Sequence, residues 1–233
     1  MEDVSQGLQP LAKNIFEGLS PSYDRVLNLA TLLQDGFWKR WLVGEASVGK
    51  GETILDIGCG TGVLEENLLT GRGRVIGLDL TEEMLRVAQR KKIPSLESIY
   101  LGDAEKLPFR DGSFDLVVSC YVVKYCDAMG LASEAARVLR PGGRLVLYDF
   151  SRPRGLLAPF VGFYIYGVLK VFGALLRLVD AGDALTYEAL PDIIRTRKWD
   201  ETFESTLRSA GFADVGQKRL SGGAATGFRA TKL

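Results

Sequence analysis

A glycine loop is the part of this sequence best suited to hold a ligand. Residues 56–62 read Asp-Ile-Gly-Cys-Gly-Thr-Gly and lie between a strand pattern and a helical pattern. Because Gly58 and Gly60 have no Cβ atom, the backbone can turn tightly and approach a ligand at the carboxyl end of a strand. Val63 stands where a dinucleotide fingerprint needs its third glycine, and no phosphate-loop lysine follows. Taken alone, the loop is also compatible with a purely structural turn.

Acidic residues follow the next two predicted strands. Asp79 is placed where a carboxylate accepts hydrogen bonds from both ribose hydroxyls, although it could equally cap the helix that begins near Thr81. Asp103, in the segment 102–109, is placed to meet an adenine amino group. A fourth strand, 114–119, opens onto the same edge. An adenosine site without a pyrophosphate fingerprint predicts S-adenosylmethionine, with S-adenosylhomocysteine as product, rather than NAD.

Composition narrows the chemistry and the setting. Lys plus Arg and Asp plus Glu both number 29 in the 233 residues, so no excess of positive charge indicates a nucleic-acid partner. Histidine is absent, which removes the commonest general base and metal ligand, and we predict no metal. The three cysteines form no CxxC pair and no disulfide framework, and the N-terminus does not read as a signal peptide. Both observations favour the cytoplasm.

Strand and helix patterns alternate through the middle of the chain, and a terminal pair of extended stretches follows. This alternation predicts an α/β fold with helices on both faces of a mostly parallel, seven-stranded sheet. We expect a single domain with an N-terminal helical cap (1–50), a cofactor-binding core (51–150), an apolar helical cap (151–200) and a C-terminal helix with strands (201–233). The predicted strands of the core are 53–57, 74–79, 97–101, 114–119 and 144–150, and its predicted helices are 63–69, 82–92 and 128–139.

Three further local patterns concern the two helical caps and one turn. Ser20 and Pro21 predict the start of the second helix, and Pro141-Gly142-Gly143 predicts a sharp turn before the fifth strand. The segment 156–179 is almost wholly apolar, with Lys170 and Arg177 as its charged residues. We interpret it as a core or cap helix, with a surface that rests on a membrane or on an apolar substrate as the alternative.

These motifs resemble those of the ubiquinone/menaquinone biosynthesis C-methyltransferase family (the UbiE/MenG type), whose members have the Rossmann-like class I methyltransferase fold. The likeness covers nearly the whole chain. It rests on Tyr23-Asp24 and Trp38-Lys39-Arg40 near the N-terminus, on segments 55–62, 77–79, 103–109 and 137–143 in the middle, and on segments 210–212, 220–223 and 229–232 near the end. The central motifs are common to many small-molecule methyltransferases, so the two ends are more specific.

The resemblance implies a set of cofactor contacts. Thr61, Asp79, Asp103, Ala104 and Ser119 would touch S-adenosylmethionine, and Tyr23 would close over it. With the loop and its neighbours, the full predicted set is Tyr23, Asp56, Gly58, Cys59, Gly60, Thr61, Asp79, Leu80, Asp103, Ala104 and Ser119.

On the acceptor side the sequence departs from the family pattern. Leu27 replaces an asparagine, Phe228 replaces a histidine near the C-terminal arginine, and Val123-Lys124 replaces an Arg-Asn pair tied to the quinol. We predict that Lys124 stabilises a phenolate, with Asp127 and Tyr121 (or Tyr125) as proton relays. The alternatives are a solvated Lys124, a helix-capping Asp127 and tyrosines that only pack.

The predicted function is C-methylation of a prenylated quinol such as demethylmenaquinol. An N- or O-methyltransferase of a phospholipid head group or another small hydrophobic metabolite is the alternative within enzymes. A non-catalytic S-adenosylmethionine-binding subunit is the alternative outside them. The protein would be cytoplasmic, with peripheral contact to the inner face of the membrane as one setting. Whether it forms a homodimer stays open.

Overall fold

Seven strands form one sheet in the computed structural model, which describes residues 8–19, 23–69, 73–177 and 181–233. The strands are β1 (Thr53–Ile57), β2 (Arg74–Asp79), β3 (Leu96–Leu101), β4 (Phe114–Cys120), β5 (Leu139–Phe150), β6 (Phe212–Leu220) and β7 (Ala225–Lys232). Their order is β3-β2-β1-β4-β5-β7-β6. The first five are parallel, whereas β7 is antiparallel to both β5 and β6. The predicted α/β sheet and its terminal hairpin-like pair are confirmed.

The described residues contain nine α-helices and four short turns of other helical types. The α-helices are α1 (Leu8–Leu19), α2 (Tyr23–Ala30), α3 (Asp35–Ala46), α4 (Glu82–Lys91), α5 (Ala128–Val138), α6 (Ala158–Phe163), α7 (Leu169–Leu176), α8 (Ala181–Thr196) and α9 (Trp199–Ser209). The π-helical turns are Glu65–Leu69 and Tyr164–Val168, and the 3-10 turns are Val123–Tyr125 and Ser221–Gly223. The predicted start of a helix at Ser20 and Pro21 lies outside the described residues.

The core has one layer on each face of the sheet. Along β4, Val117 packs with α5 and α9, whereas Leu116 and Val118 pack with α3. All three are fully buried, as expected for a parallel strand covered on both sides. This arrangement fixes the carboxyl ends of β1, β2 and β4 at one edge, where a ligand site forms in open α/β sheets.

The predicted turn at Pro141-Gly142-Gly143 is wrong in its placement. β5 already begins at Leu139, and the three residues form an irregularity within it. Phe114 pairs with Leu139 but Leu116 pairs with Arg144, so the register shifts here. Gly142 has a φ of +76°, a conformation that a residue with a Cβ rarely adopts.

The apolar segment 156–179 forms a surface helix rather than a core helix. α6, the π-helical turn and α7 continue one another, and we call residues 158–176 the cap helix. Among the described residues, Ala158–Leu175 is the one stretch of helix that is long and apolar enough to cross a membrane, and 17% of it is buried. Phe160 and Phe163 are 75% and 72% exposed.

Two cations, one in the cap helix and one directly after it, are paired with acidic residues of α8. Lys170 Nζ lies 2.9 Å from Asp192 Oδ1 of α8, and Arg177 pairs with Glu188 of the same helix. The exposed face of the cap helix is therefore mainly apolar.

Candidate active site

A cavity lies at the carboxyl ends of β1, β2 and β4, beneath α1. Its lining residues are Gln9, Ala12, Phe16, Tyr23, Ile57, Gly58, Gly60, Leu78, Asp79, Leu80, Thr81, Met84, Gly102, Asp103, Ala104, Cys120, Tyr121, Val122, Tyr125 and Cys126. Seven of the predicted cofactor contacts meet here, namely Tyr23, Gly58, Gly60, Asp79, Leu80, Asp103 and Ala104. We call this space the cofactor cavity.

The glycine loop forms the floor of the cofactor cavity. Gly58 and Cys59 both donate their backbone N–H groups to Leu78 O, at 2.7 and 3.0 Å. Gly58 and Gly60 have φ values of +77° and +54°. These bonds tie the loop to the end of β2 and bring its backbone close to Asp79.

Gly58 and Gly60 tolerate a side chain very differently. A Cβ on Gly58 would lie 2.2 Å from Val122 Cγ2, whereas a Cβ on Gly60 would find its nearest neighbour, Tyr23 Cε1, at 4.0 Å. We expect Gly60→Ala to lower the free energy of unfolding by about 1–2 kcal/mol, from its left-handed φ alone. Gly58→Ala should lower the free energy of unfolding by the same amount and by about 1–3 kcal/mol more, because the new Cβ overpacks against Val122. Urea unfolding measures both losses.

Val122→Ala provides the control, because it removes the clashing methyl groups. Adding Gly58→Ala to the Val122→Ala background should therefore lower the free energy of unfolding by less than Gly58→Ala does in the wild type. Equal losses for Gly58→Ala and Gly60→Ala would contradict the packing of the loop against Val122.

Asp79 is held by backbone and side-chain donors. Its Oδ2 accepts the Gly60 N–H at 2.9 Å, and its Oδ1 accepts the N–H and the hydroxyl of Thr81, at 2.9 and 2.6 Å. Burial raises the pKa of Asp79, although these bonds act in the opposite direction. The carboxylate thus holds the start of α4 and the glycine loop, and it also lines the cofactor cavity.

Asp103 lies under the first helix. Gln9 Nε2 of α1 donates to Asp103 Oδ1 at 3.1 Å and to Glu105 Oε1 at 2.7 Å. The Glu105 N–H also donates to Asp103 Oδ1, at 2.8 Å. The acidic group predicted to meet an adenine is therefore in contact with α1.

Four predicted contacts lie away from the cofactor cavity. Asp56, Cys59 and Thr61 line a small cavity on the other side of the glycine loop, which also contains Lys39. The Thr61 hydroxyl donates to Asp24 Oδ1 at 2.7 Å. Ser119 lines neither cavity, because its hydroxyl donates to Ile57 O at 2.7 Å across the β1–β4 pair.

The small cavity is lined by one buried acidic residue and one buried lysine. Asp56 is buried, and within the described residues its Oδ1 has no hydrogen-bond partner. Burial and the neighbouring carboxyl of Glu65 hold the pKa of Asp56 well above its ordinary value. Lys39 Nζ lies 2.8 Å from Asp35 Oδ2. An orphaned buried oxygen beside a buried cation fits a ligand that carries both a donor and an acidic group.

Tyr121 connects the two cavities, since it lines both. Its hydroxyl donates to Asp35 Oδ1 at 2.8 Å, and its φ is +67°. Burial, and then the Asp35 carboxylate, hold the pKa of Tyr121 well above its ordinary value. A left-handed φ at a bulky residue is typical of functional sites, where the surrounding structure enforces it.

Lys124 does not line the cofactor cavity. Its side chain is 2% exposed, and its Nζ donates to Asp149 Oδ1 at 2.8 Å and to Tyr121 O. The ring centroid of Tyr125 lies 4.3 Å from the same nitrogen. Burial lowers the pKa of Lys124, and Asp149 acts in the opposite direction. The alternative of a solvated lysine is wrong, because Asp149 on β5 supplies a buried partner.

Asp127 caps a helix. Its side chain accepts the Gly130 N–H at 2.8 Å at the start of α5, and its own N–H donates to Glu105 Oε1. Asp127 is not among the residues that line the cofactor cavity. The capping alternative is confirmed, and a relay role for Asp127 has no support from its position.

Sequence reasoning missed the contribution of α1 and the acidic partners. Gln9 and Phe16 cover the cofactor cavity, while Asp35 and Asp149 hold Tyr121 and Lys124. Lys39 belongs to the Trp38-Lys39-Arg40 motif that the sequence does show. That motif was the available signal for a cation next to the glycine loop.

Comparisons with known proteins show the family of this chain. The model of the ubiE/COQ5 methyltransferase family matches residues 4–232. The chain is 34% identical to the demethylmenaquinone methyltransferase of Tropheryma whipplei, over 94% of this chain and 91% of that protein. It is 30% identical to the ubiquinone/menaquinone biosynthesis C-methyltransferase UbiE of Pseudoalteromonas translucida, over 91% and 87% of the two chains.

Solved structures share the fold at lower sequence identity. A possible histamine N-methyltransferase of Thermotoga maritima superposes with a TM-score of 0.64 at 21% identity, covering 95% of this chain and 99% of that one. The [4+2]-cyclase SpnF superposes with a TM-score of 0.65 at 14% identity, covering 95% of each chain. The Rossmann-like class I fold is thus confirmed, although the fold alone does not fix the reaction.

The family model spans nearly the whole chain, and the curated relatives are covered over most of their own length. The resemblance found in the sequence motifs is confirmed. The chain therefore belongs to the ubiE/COQ5 methyltransferase family and is an S-adenosylmethionine-dependent methyltransferase.

Proposed function

We propose that this protein methylates a ring carbon of a prenylated quinol such as demethylmenaquinol. The observation that carries the proposal is the make-up of the cofactor cavity. Asp79 and Asp103 lie in the same space as the aromatic side chains of Phe16, Tyr121 and Tyr125. Two acidic groups suit an adenosine, and an aromatic wall suits a flat ring. The names of the curated relatives favour the same acceptor.

The residues present fit S-adenosylmethionine, which supplies an activated methyl group when bound. Asp79 would accept hydrogen bonds from the ribose, and Asp103 would meet the adenine. Lys39 and Asp56 would meet the carboxylate and the amino group of the methionyl end. No group of three or more His, Cys, Asp or Glu side chains that could hold a metal occurs among the described residues. Catalysis without a metal stays a prediction.

The remaining task of the protein is to hold the acceptor ring and remove a proton from its hydroxyl group. Tyr121 is the polar group of the aromatic wall best placed for this, because its hydroxyl already donates to Asp35 Oδ1. Asp35 is in turn paired with Lys39, so Tyr121 can pass a proton into a buried polar network. Lys124 acts as a positioning residue, since it bonds the backbone oxygen of Tyr121.

α1 acts as a lid on this site. The cofactor cavity encloses about 80 Å³, less than the roughly 300–1,000 Å³ of typical ligand pockets. Gln9 bonds the carboxylate that we assign to the adenine. α1 would therefore shift, and Gln9 would release Asp103, to admit S-adenosylmethionine. Lids of this kind exclude water from the reacting groups.

A labelled-methyl assay tests the proposed reaction. The protein is incubated with S-adenosylmethionine carrying an isotopic methyl group and with demethylmenaquinol in detergent. We expect the label on a ring carbon, identified by mass spectrometry. Label on oxygen or nitrogen, or turnover of a phospholipid head group alone, would overturn the assignment. Failure to form S-adenosylhomocysteine with any acceptor would favour a non-catalytic subunit.

We also propose that the cap helix rests on the cytoplasmic face of a membrane. Phe160 and Phe163 project from it into solvent, and Leu33, between α2 and α3, is also exposed. Exposed apolar patches of this kind mark sites of membrane or protein contact. A prenylated quinol resides in the bilayer, so such contact would bring the protein to its acceptor.

Replacing two phenylalanines tests the membrane contact. Phe160→Ser/Phe163→Ser should reduce cosedimentation with phosphatidylcholine vesicles by about tenfold or more, because each ring contributes about 1.5–3 kcal/mol when fully buried. Leu101→Ser is the matched control, since Leu101 is exposed on the edge strand β3 at the other side of the sheet. Unchanged vesicle binding by the double variant would contradict the proposal.

A further inference from the structure

A second cavity lies between the cap helix and α8, on the side away from the glycine loop. It encloses about 270 Å³. Val161, Ile165 and Leu169 of the cap helix line one wall, and Trp38 and Phe150 line the wall towards the sheet. Its volume is more than three times that of the cofactor cavity, and no step of the proposed reaction uses it.

The polar side chains around the second cavity already have protein partners. Trp38 Nε1 donates to Ser221 Oγ at 2.8 Å, and that hydroxyl donates to Gln34 Oε1 at 3.0 Å. The Tyr164 hydroxyl donates to Leu29 O at 3.0 Å. These groups have little to offer a polar ligand. An apolar cavity of this kind stays dry or takes a hydrocarbon.

The mouth of the second cavity opens on the apolar surface. Leu32 and Phe160 line the cavity and are also 59% and 75% exposed. Leu32 and Leu33 have φ values of +50° and +63°, which cost about 1–2 kcal/mol each for residues with a Cβ. Two bulky apolar residues are thus held in a strained turn at the edge of the opening. Such strain is typical of a segment with a function.

One aromatic wall separates the second cavity from the cofactor cavity. The ring of Tyr121, which lines the cofactor cavity, lies 4.9 Å from the ring of Phe150 and 6.3 Å from that of Trp38, measured between centroids. Phe150 and Trp38 line the second cavity. A ligand with a reactive ring at Tyr121 and a chain beyond it would therefore reach both spaces once the rings of Tyr121 and Phe150 move apart, because their contact closes the way between the cavities.

We infer that the second cavity binds the prenyl tail of the methyl acceptor. The inference rests on the proposed function and adds the place where the tail is held. The tail enters between Leu32 and Phe160, lies along the apolar face of the cap helix and leaves the ring next to Tyr121. Burial of the tail contributes affinity in proportion to its apolar area, and the satisfied polar groups offer no partner to a charged chain.

Two matched variants of the cap helix test the tail site. Val161→Phe places a larger side chain in the second cavity, whereas Val168→Phe, seven residues further along, places it at an exposed position outside the lining. Farnesol is titrated into each protein, and its binding is followed by the emission of Trp38, assigned by loss of the signal in Trp38→Phe. We expect farnesol affinity to fall about tenfold in Val161→Phe and to stay unchanged in Val168→Phe.

Ala224→Leu fills the second cavity from its opposite wall and replaces Val161→Phe if that variant unfolds, as judged by thermal melting. Equal farnesol affinity in the filled variants and in Val168→Phe would overturn the tail site. This readout does not depend on methylation, so it stands even if no quinol is a substrate.

Kinetics distinguish the tail of the acceptor from a lipid chain in the same cavity. Val161→Phe should raise the KM for a farnesylated quinol about tenfold and leave the KM for the tailless quinol within about twofold. An equal loss with both acceptors would overturn the assignment to the acceptor's tail and give the cavity to a membrane lipid. Absence of methylation of either quinol by the wild type would instead reject the proposed function.

Discussion

Asp79→Asn should weaken S-adenosylmethionine binding about 30-fold, as measured by calorimetry. The carboxylate accepts donors on both oxygens, from Gly60 on one and from Thr81 on the other. An amide nitrogen in place of one oxygen cannot accept a hydrogen bond, so either the glycine loop or the ribose loses an acceptor. A hydrogen bond to a charged group contributes about 1.5–3 kcal/mol, and about 2 kcal/mol corresponds to 30-fold.

The pH dependence of binding gives a second readout for Asp79. Since burial raises the pKa of Asp79, cofactor affinity should fall on acidification at a higher pH than an ordinary aspartate would allow. Asp79→Asn should lack the part of that fall that Asp79 causes, because the amide does not titrate, whereas any part due to Asp56 would remain. Asp115→Asn is the control. Asp115 lies at the amino end of β4, away from the carboxyl ends of the strands, and it bonds Arg140 and Thr53. An equal loss of affinity in the control would contradict the role of Asp79.

Lys124→Met should lower the free energy of unfolding by about 3–5 kcal/mol, measured in urea. The substitution leaves Asp149, which is fully buried, without its cation. An uncompensated charge in the interior is strongly destabilising, whereas removing both charges is far less so. The double variant Lys124→Met/Asp149→Asn should therefore recover about half of the loss or more.

Lys170→Met is the matched control for a partly exposed ion pair. Lys170 Nζ lies 2.9 Å from Asp192 Oδ1, close to the 2.8 Å of the buried pair, but both side chains reach solvent. Lys170→Met should lower the free energy of unfolding by about 1 kcal/mol or less. If Lys124→Met cost no more than Lys170→Met, the buried pair would not hold the segment after β4, and Tyr121 would need another support.

The order of elements could be predicted because strands and helices differ in period and length. β1 and β2 begin and end where the patterns place them, at 53–57 and 74–79. Proline and glycine at 141–143 indicated a turn, but the sheet accommodates them as an irregularity next to β4. The exposure of the cap helix could not be predicted from its apolar composition, since composition usually indicates burial.

The glycine loop, Asp79 and Asp103 were predictable because parallel strands bring their carboxyl ends together. The direction in which each side chain points could not be predicted in this way. Ser119 and Thr61 lie on the segments that form the site, but their hydroxyl groups donate to protein atoms rather than line the cofactor cavity. Ser119 bonds Ile57 O, and Thr61 bonds Asp24 Oδ1. Lys124 was expected to be available for catalysis because its partner, Asp149, is on another strand and is invisible to local patterns.

The ion pairs of the cap helix determine how the protein would respond to its surroundings. Lys170 and Arg177 are paired with Asp192 and Glu188, so carboxylates of α8 already neutralise their positive charges. Attachment would then depend on apolar contact alone. Raising the ionic strength should leave the bound fraction unchanged, and cooling should lower it, because hydrophobic association weakens in the cold. The enzyme would thus serve bilayers of differing headgroup charge equally well.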